Sequence, residues 1–163
     1  MSETTSETRN EASALFSAFA GEWSGTTRTW FEPDKLADES EWEADIYTML
    51  GDTYMRYEYT GKLQGETFEG KATFGYNSIT KQFQMAWIDS FHQNNGIMFC
   101  QGEKSLAGFS VLGSWLPAEG SAPWGWRTEF TLVDADHLTI RAYNVTPNGE
   151  ESLGIETIYT RTA

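Results

Sequence analysis

From Glu22 to Thr162 the chain runs in short stretches where apolar and polar residues alternate, each stretch closed by turn residues. A period of two marks β-strands with one buried face. The pattern predicts strands at Glu22–Phe31, Glu41–Leu50, Thr53–Leu63, Thr67–Tyr76, Gln82–Ser90, Gly96–Gln101, Ser105–Gly113, Trp124–Val133, His137–Val145 and Glu151–Thr162. The separators have turn chemistry: Pro33-Asp34-Lys35, Gly51-Asp52 as a two-residue hairpin turn, Asn77-Ser78-Ile79-Thr80, Asn94-Asn95-Gly96, Asp134-Ala135-Asp136 and Pro147-Asn148-Gly149. The longest connection, Leu116 to Pro123, holds two prolines and a glycine. Ahead of the strands the period changes. Glu11 to Ala20 reads as a short helix with Leu15, Phe16 and Phe19 on one face, ended by Gly21. Residues 1–10 are polar and acidic and are expected as a disordered tail, leaving 11–163 as the domain.

Tight connections make strands that are neighbours in sequence neighbours in the sheet. A flat meander of about ten strands would expose two edges and wet a large aromatic face; closure removes both problems. The fold class is therefore all-β: a single closed up-and-down antiparallel barrel of about ten strands with a short N-terminal helix. Gly21-Glu22-Trp23 opens the first strand and Tyr159-Thr160-Arg161 closes the last. Arg161 is expected to lie over the Trp23 ring where these strands meet, a structural pair that marks the closed end. The helix would serve as a lid over one barrel mouth, and a ligand would enter by the mouth opposite the Trp23–Arg161 end. There is no βαβ alternation, glycine-rich phosphate loop or internal repeat.

Three stretches carry a resemblance: Gly21-Glu22-Trp23 with Gly25; Gly70 to Asp89, with Gly75-Tyr76-Asn77 and Trp87-Ile88-Asp89-Ser90; and Pro147-Asn148-Gly149 leading to Glu156 and Tyr159-Thr160-Arg161. Together they resemble the bacterial domain-of-unknown-function 1579 family, a calycin-type barrel similar to lipocalins and fatty-acid-binding proteins. The resemblance covers nearly the whole chain after residue 11. It implies a fold more than a function. Its wider relatives mostly hold apolar small molecules, and some hold haem. The chain departs from the family pattern at Asn77, commonly Asp, and at Arg141, commonly acidic.

Charge narrows the partners. The net charge is −13, with only eleven Lys and Arg, which argues against nucleic acid and anionic membranes. Cys100 is the single cysteine, so no intramolecular disulfide forms; it reads as a buried small hydrophobe. The N-terminus lacks the basic and apolar regions of a signal peptide, and no apolar run approaches the ~18 residues of a membrane span. The expected location is cytoplasmic. A homodimer through exposed Trp30 or Trp42 is a further possibility.

Aromatic residues make up 15% of the chain, and large rings must pack or line something. Tyr54, Tyr57, Tyr59, Tyr76, Trp124, Trp126, Tyr143 and Tyr159 are enough to line a pocket. In Gln82–Ser90, alternation puts Phe83, Met85, Trp87 and Asp89 on one face, interior by their bulk. Asp89 is then either a carboxylate at the rim of an aromatic cavity or a strand terminator accepting loop N–H bonds. His92 and His137 read as turn histidines, either of which could serve a barrel haem. No metal motif and no Gly-x-Ser-x-Gly elbow is present, and no cofactor is expected. Arg56, Arg127, Arg141 and Glu156 are charges within aromatic strands. They either grip an acidic head group from inside or form an exterior Arg–Glu ladder, with the exterior favoured. The ligand-binding candidates are Tyr76, Met85, Trp87, Asp89, Trp126, Arg127, Tyr143 and Glu156. The leading expectation is a barrel binding a small, mostly apolar molecule. The alternatives are an enzyme acting on a small metabolite with Asp89 as acid/base, and a haem-binding barrel.

Overall fold

Between Leu63 and Glu66 the chain reverses in two residues, Gln64 and Gly65, both with positive φ. That is the turn geometry whose twist matches antiparallel strands. Repeated reversals of this kind build the sheet. A computed structural model of the chain describes residues 3–92 and 95–163. One helix, α1 (Glu3–Phe19), precedes β1 (Gly21–Glu32), β2 (Lys35–Met49), β3 (Tyr54–Leu63), β4 (Glu66–Asn77), β5 (Gln82–Asp89), β6 (Met98–Gly102), β7 (Lys104–Ser105), β8 (Gly108–Trp115), β9 (Trp124–Asp134), β10 (His137–Val145) and β11 (Glu151–Arg161).

All pairings are antiparallel, in the order β6-β5-β4-β3-β2-β1-β11-β10-β9-β8, and β6 pairs back onto β8. The sheet is therefore a closed ten-strand barrel; the two-residue β7 is an appendage on β8. The expected meander holds throughout, with three differences of extent. The helix starts at Glu3, so the stretch expected as a tail is helical from that residue. β2 starts at Lys35, because Pro33 and Asp34 turn the chain at once. Gly51-Asp52 lies within a longer connection, in which Leu50, Gly51 and Asp52 all have positive φ. Of the expected Asn94-Asn95-Gly96 turn, Asn94 lies outside the described residues, as do Met1 and Ser2 of the expected tail.

The Trp23 end is shut. Phe16 and Phe19 of α1 are fully buried and meet Phe83 and Phe109 edge to face. Each ring buried this way contributes about 1.5–3 kcal/mol. Further in, Phe74, Phe83, Phe109 and Phe130 pack with ring centroids 4.7–5.6 Å apart, filling this half of the barrel.

Arg161 holds the helix to the closing strands. It pairs in register with Trp23, and its guanidinium lies 4.3 Å above the indole. Its N–H groups donate to the carbonyls of Ala18, Ala20 and Ala135. Trp23 Nε1 donates to the Phe19 carbonyl at 3.0 Å. Carbonyls left over at the end of a helix need such partners. Gly21 makes the arrangement possible: its φ is +148°, and a Cβ there would stand 2.2 Å from Arg161 Nη1. The expected Trp23–Arg161 pair is present in full.

Candidate functional site

The strands run from the filled end to an open one. Four to eight residues separate Phe83 from Trp87, Phe109 from Trp115, Phe130 from Trp126 and Trp23 from Trp30 or Phe31, which at about 3.3 Å per residue places the second of each pair at the opposite mouth. There the structure has a cleft of about 720 Å³. Its walls include Trp30, Trp87, Trp115 and Trp126, and the Leu116–Pro123 connection contributes Leu116, Pro117 and Pro123. Below it, a smaller cavity of about 50 Å³ reaches into the barrel between Tyr57, Tyr59, Met85, Thr128 and Ile140. Trp87, His92, Trp126 and Ile155 line both spaces. Trp87 and Trp126 face each other nearly parallel, with centroids 6.2 Å apart.

A buried polar network backs this wall. Trp87 Nε1 donates to Tyr59 Oη at 2.8 Å, and Tyr59 Oη donates to Asp89 Oδ2 in a short bond. The other carboxylate oxygen accepts the backbone N–H groups of Phe91 and His92 at 2.7 and 2.9 Å. His92 Nδ1 stands 3.0 Å from the same oxygen, close enough to attract electrostatically but off the axis of a hydrogen bond. The Asp89 side chain has no exposed surface. Burial pushes its pKa up, but His92, the Tyr59 hydroxyl and the loop N–H together outweigh burial and hold it below the ordinary value. Burial, followed by the adjacent carboxylate, pushes the Tyr59 hydroxyl well above its ordinary range, so it stays a donor.

Of the two readings of Asp89, the geometry matches the strand terminator: it ends β5 by binding loop N–H groups and sits behind the aromatic cavity, not at its rim. It does not line that cavity; Tyr59 and His92 stand between. Gly70, paired with Tyr59 and with Asp89, is what lets the phenol cross the strand. A Cβ at Gly70 would lie 2.1 Å from Tyr59 Oη.

Of the expected binding residues, Met85, Trp87 and Trp126 line the cavity. Arg127, Tyr143 and Glu156 do not. Phe130, Thr128 and Trp126 take the inner face of β9, so Arg127 points outward. There it binds Glu129 and Glu151 and covers the Tyr143 ring at 4.4 Å. Glu156 pairs with Arg141 at 2.9 Å, also outside. Register extends this into a belt of alternating charge, Glu39–Arg28–Glu156–Arg141–Glu129, across five strands. Arg56 is likewise paired outside, with Glu58 and Thr73. Tyr76 packs on Phe83 near the filled end, away from the cavity.

Tyr57 and Tyr59 line the cavity, Tyr159 is buried with its hydroxyl 2.8 Å from that of Tyr57, and Tyr54 is 43% exposed. Trp42, expected on the surface, is buried and stacks on Tyr59 at 5.1 Å; its strand position puts it inside. His137 is a surface residue at the start of β10, 2.7 Å from Asp134. His92 is instead tucked against Trp87 and Phe68, because Asp89 draws its loop inward. Cys100 is buried, and burial pushes its thiol up to about 12, as befits a small hydrophobe.

The sequence reading missed Thr128, Asn144 and Trp115. Thr128 Oγ1, Asn144 Oδ1 and Trp115 Nε1 are buried side-chain atoms without a hydrogen-bond partner. All three belong to residues lining the cavity or the cleft. Strict alternation back from Phe130 would have placed Thr128 inside. Alternation from Leu138, Ile140 and Ala142 would likewise have placed Asn144 inside; the slip between β10 and β11 adds its extra residue on β11 and leaves the period of β10 intact.

A closed ten-strand antiparallel barrel, plugged at one mouth by a helix and open at the other onto ring-lined space, is a calycin-like barrel. The chain belongs to the family described as protein of unknown function DUF1579, whose model matches residues 8–161. No curated protein matches the chain at a significant level. Among solved structures, Rv2717c from M. tuberculosis is similar with a TM-score of 0.64 and 12% identity, over 93% of this chain and 98% of that one. The S-type phycobiliprotein lyase CPES from Guillardia theta is similar with a TM-score of 0.56 and 12% identity, over 100% and 99%. At such identity the likeness speaks for the fold. Among the described residues no helix is long and apolar enough to cross a membrane, and no group of three or more His, Cys, Asp or Glu is placed to hold a metal ion.

Proposed function

We propose that the protein holds a small, mostly apolar ligand at the open end of its barrel. The observation that carries this reading is the cleft of about 720 Å³, walled by indole rings and continuous in its lining with the cavity below. Its size and its aromatic walls with a few polar groups, Thr29, Ser114 and Asn144 among them, match small-molecule sites generally. The filled half of the barrel supports a seat at the mouth rather than along the whole axis. Exposed Phe31, Ile97 and Leu116 at the rim favour entry of an apolar molecule. The test is titration with Nile red, an uncharged apolar fluorophore. Saturable one-to-one binding that quenches tryptophan emission is expected; partition without saturation, or no binding, overturns the reading.

The enzyme alternative is less well supported, because both oxygens of Asp89 are engaged and its side chain is sealed from the cavity. Haem is the second occupant that a specific observation favours, since His92 lines the cleft. Absence of a Soret shift on haem titration, or its persistence in His92→Ala, removes that reading.

A further inference from the structure

We propose that the seat selects an uncharged, ring-bearing molecule that carries a hydroxyl or carbonyl group. This rests on the ligand-binding reading above and adds to it the chemistry of the occupant. Rings are favoured by the walls: the near-parallel Trp87 and Trp126, with Trp30 and Trp115 also on the lining, offer flat faces.

Charge is disfavoured by what surrounds the seat. Among the described residues, neither the cleft nor the cavity has a Lys, Arg, Asp or Glu on its lining. The arginines of the neighbouring strands, Arg28, Arg127 and Arg141, are paired with glutamates on the outer surface. An anionic head group would therefore lose its hydration without meeting a Lys or Arg; His92, the histidine on the lining, already stands 3.0 Å from Asp89, whose carboxylate would repel the anion. A cation would find Asp89 already satisfied by Tyr59 and two backbone N–H groups.

One polar group is nonetheless called for. Thr128 is 6% exposed, and its hydroxyl has no partner. The Asn144 amide oxygen and the Trp115 indole N–H are in the same position at the cleft. Buried polar atoms left unpaired are costly, and a ligand that completes them is selected over one that cannot. A hydroxyl can both donate and accept, and a carbonyl can accept from the indole N–H or from the threonine.

The experiment is calorimetric titration of the full chain at pH 7 with 2-naphthol, 2-naphthoate and naphthalene. 2-Naphthol is expected to bind at least about tenfold more tightly than either of the others. Thr128→Val and Asn144→Leu are each expected to reduce the 2-naphthol advantage and leave naphthalene binding unchanged. Equal or tighter binding of 2-naphthoate overturns the exclusion of charge. Equal binding of naphthalene and 2-naphthol overturns the polar contact. If none of the three binds while Nile red does, the proposed ligand chemistry fails and the binding reading stands. If Nile red also fails, both fall.

Discussion

Asp89 is a charge sealed inside an aromatic barrel, tolerable only because three donors and an imidazole surround it. The sign of its pH dependence follows. Its folded pKa is depressed from 3.8, so the unfolded chain binds this proton more readily. The stabilisation is fully present above about pH 4 and is lost as pH falls through the folded pKa. Asp89→Asn should lower stability at pH 7 by about 1–3 kcal/mol and flatten the loss of Tm as pH falls below about 4. An unchanged acid limb in thermal scans would show that the carboxylate is not the titrating group. Gly70 and Tyr59 form a second testable unit. Gly70→Ala forces a Cβ onto the phenol oxygen and should cost about 1–3 kcal/mol. The same change in a Tyr59→Ala background should cost less, because the phenol atoms that a Cβ at Gly70 would meet at 2.1–2.7 Å are gone. A double-mutant cycle by urea denaturation measures that coupling.

At the scale of elements, α1 is held by its two buried phenylalanines and by the caps that β1 and β11 supply. Arg161 performs three tasks: it covers Trp23, accepts the strand register, and donates to helix carbonyls. Arg161→Ala should destabilise by about 1–3 kcal/mol and release α1, read as lost helical circular dichroism and faster cleavage within residues 3–19. Arg161→Lys should restore little, since a single ammonium cannot reproduce the planar fork. The exterior charge belt behaves differently. Its pairs are half-exposed, so each contributes only about 0–1 kcal/mol; its main effect is to favour one strand register over its neighbours.

The whole molecule closes through two unequal seams. β1 and β11 pair continuously from Trp23↔Arg161 to Thr29↔Ile155. β6 and β8 share the single register pair Gln101↔Leu112 among the described residues. Local opening favours the less bonded junction. Amide exchange should therefore be faster across β6 and β8 than across β1 and β11, by about tenfold or more for a difference of 1.4 kcal/mol. Saturating ligand should slow exchange at the Trp115 end of β8, because Ser114 and Trp115 line the cleft. Equal protection at the two seams would count against this account of closure.

Alternation and turn residues by themselves determined the strand number, the meander, the barrel and the inner face of β5, because a period of two leaves one way to bury the rings. The Trp23–Arg161 pair was also legible, since residues at the two ends of a closed sheet must meet. The site was legible only in part. Met85, Trp87 and Trp126 could be placed because their strands are strictly alternating. Arg127 and Glu156 could not, because a long charged side chain fits either face until register brings its partner opposite. Trp42 and Asn144 followed the rule of alternation, since Trp42-Ala44-Ile46 and Leu138-Ile140-Ala142-Asn144 hold a strict period of two. His92 and the reach of Tyr59 across Gly70 were decided by the tertiary structure alone. Each depends on a contact between residues far apart in the chain or on a loop drawn inward by one buried carboxylate.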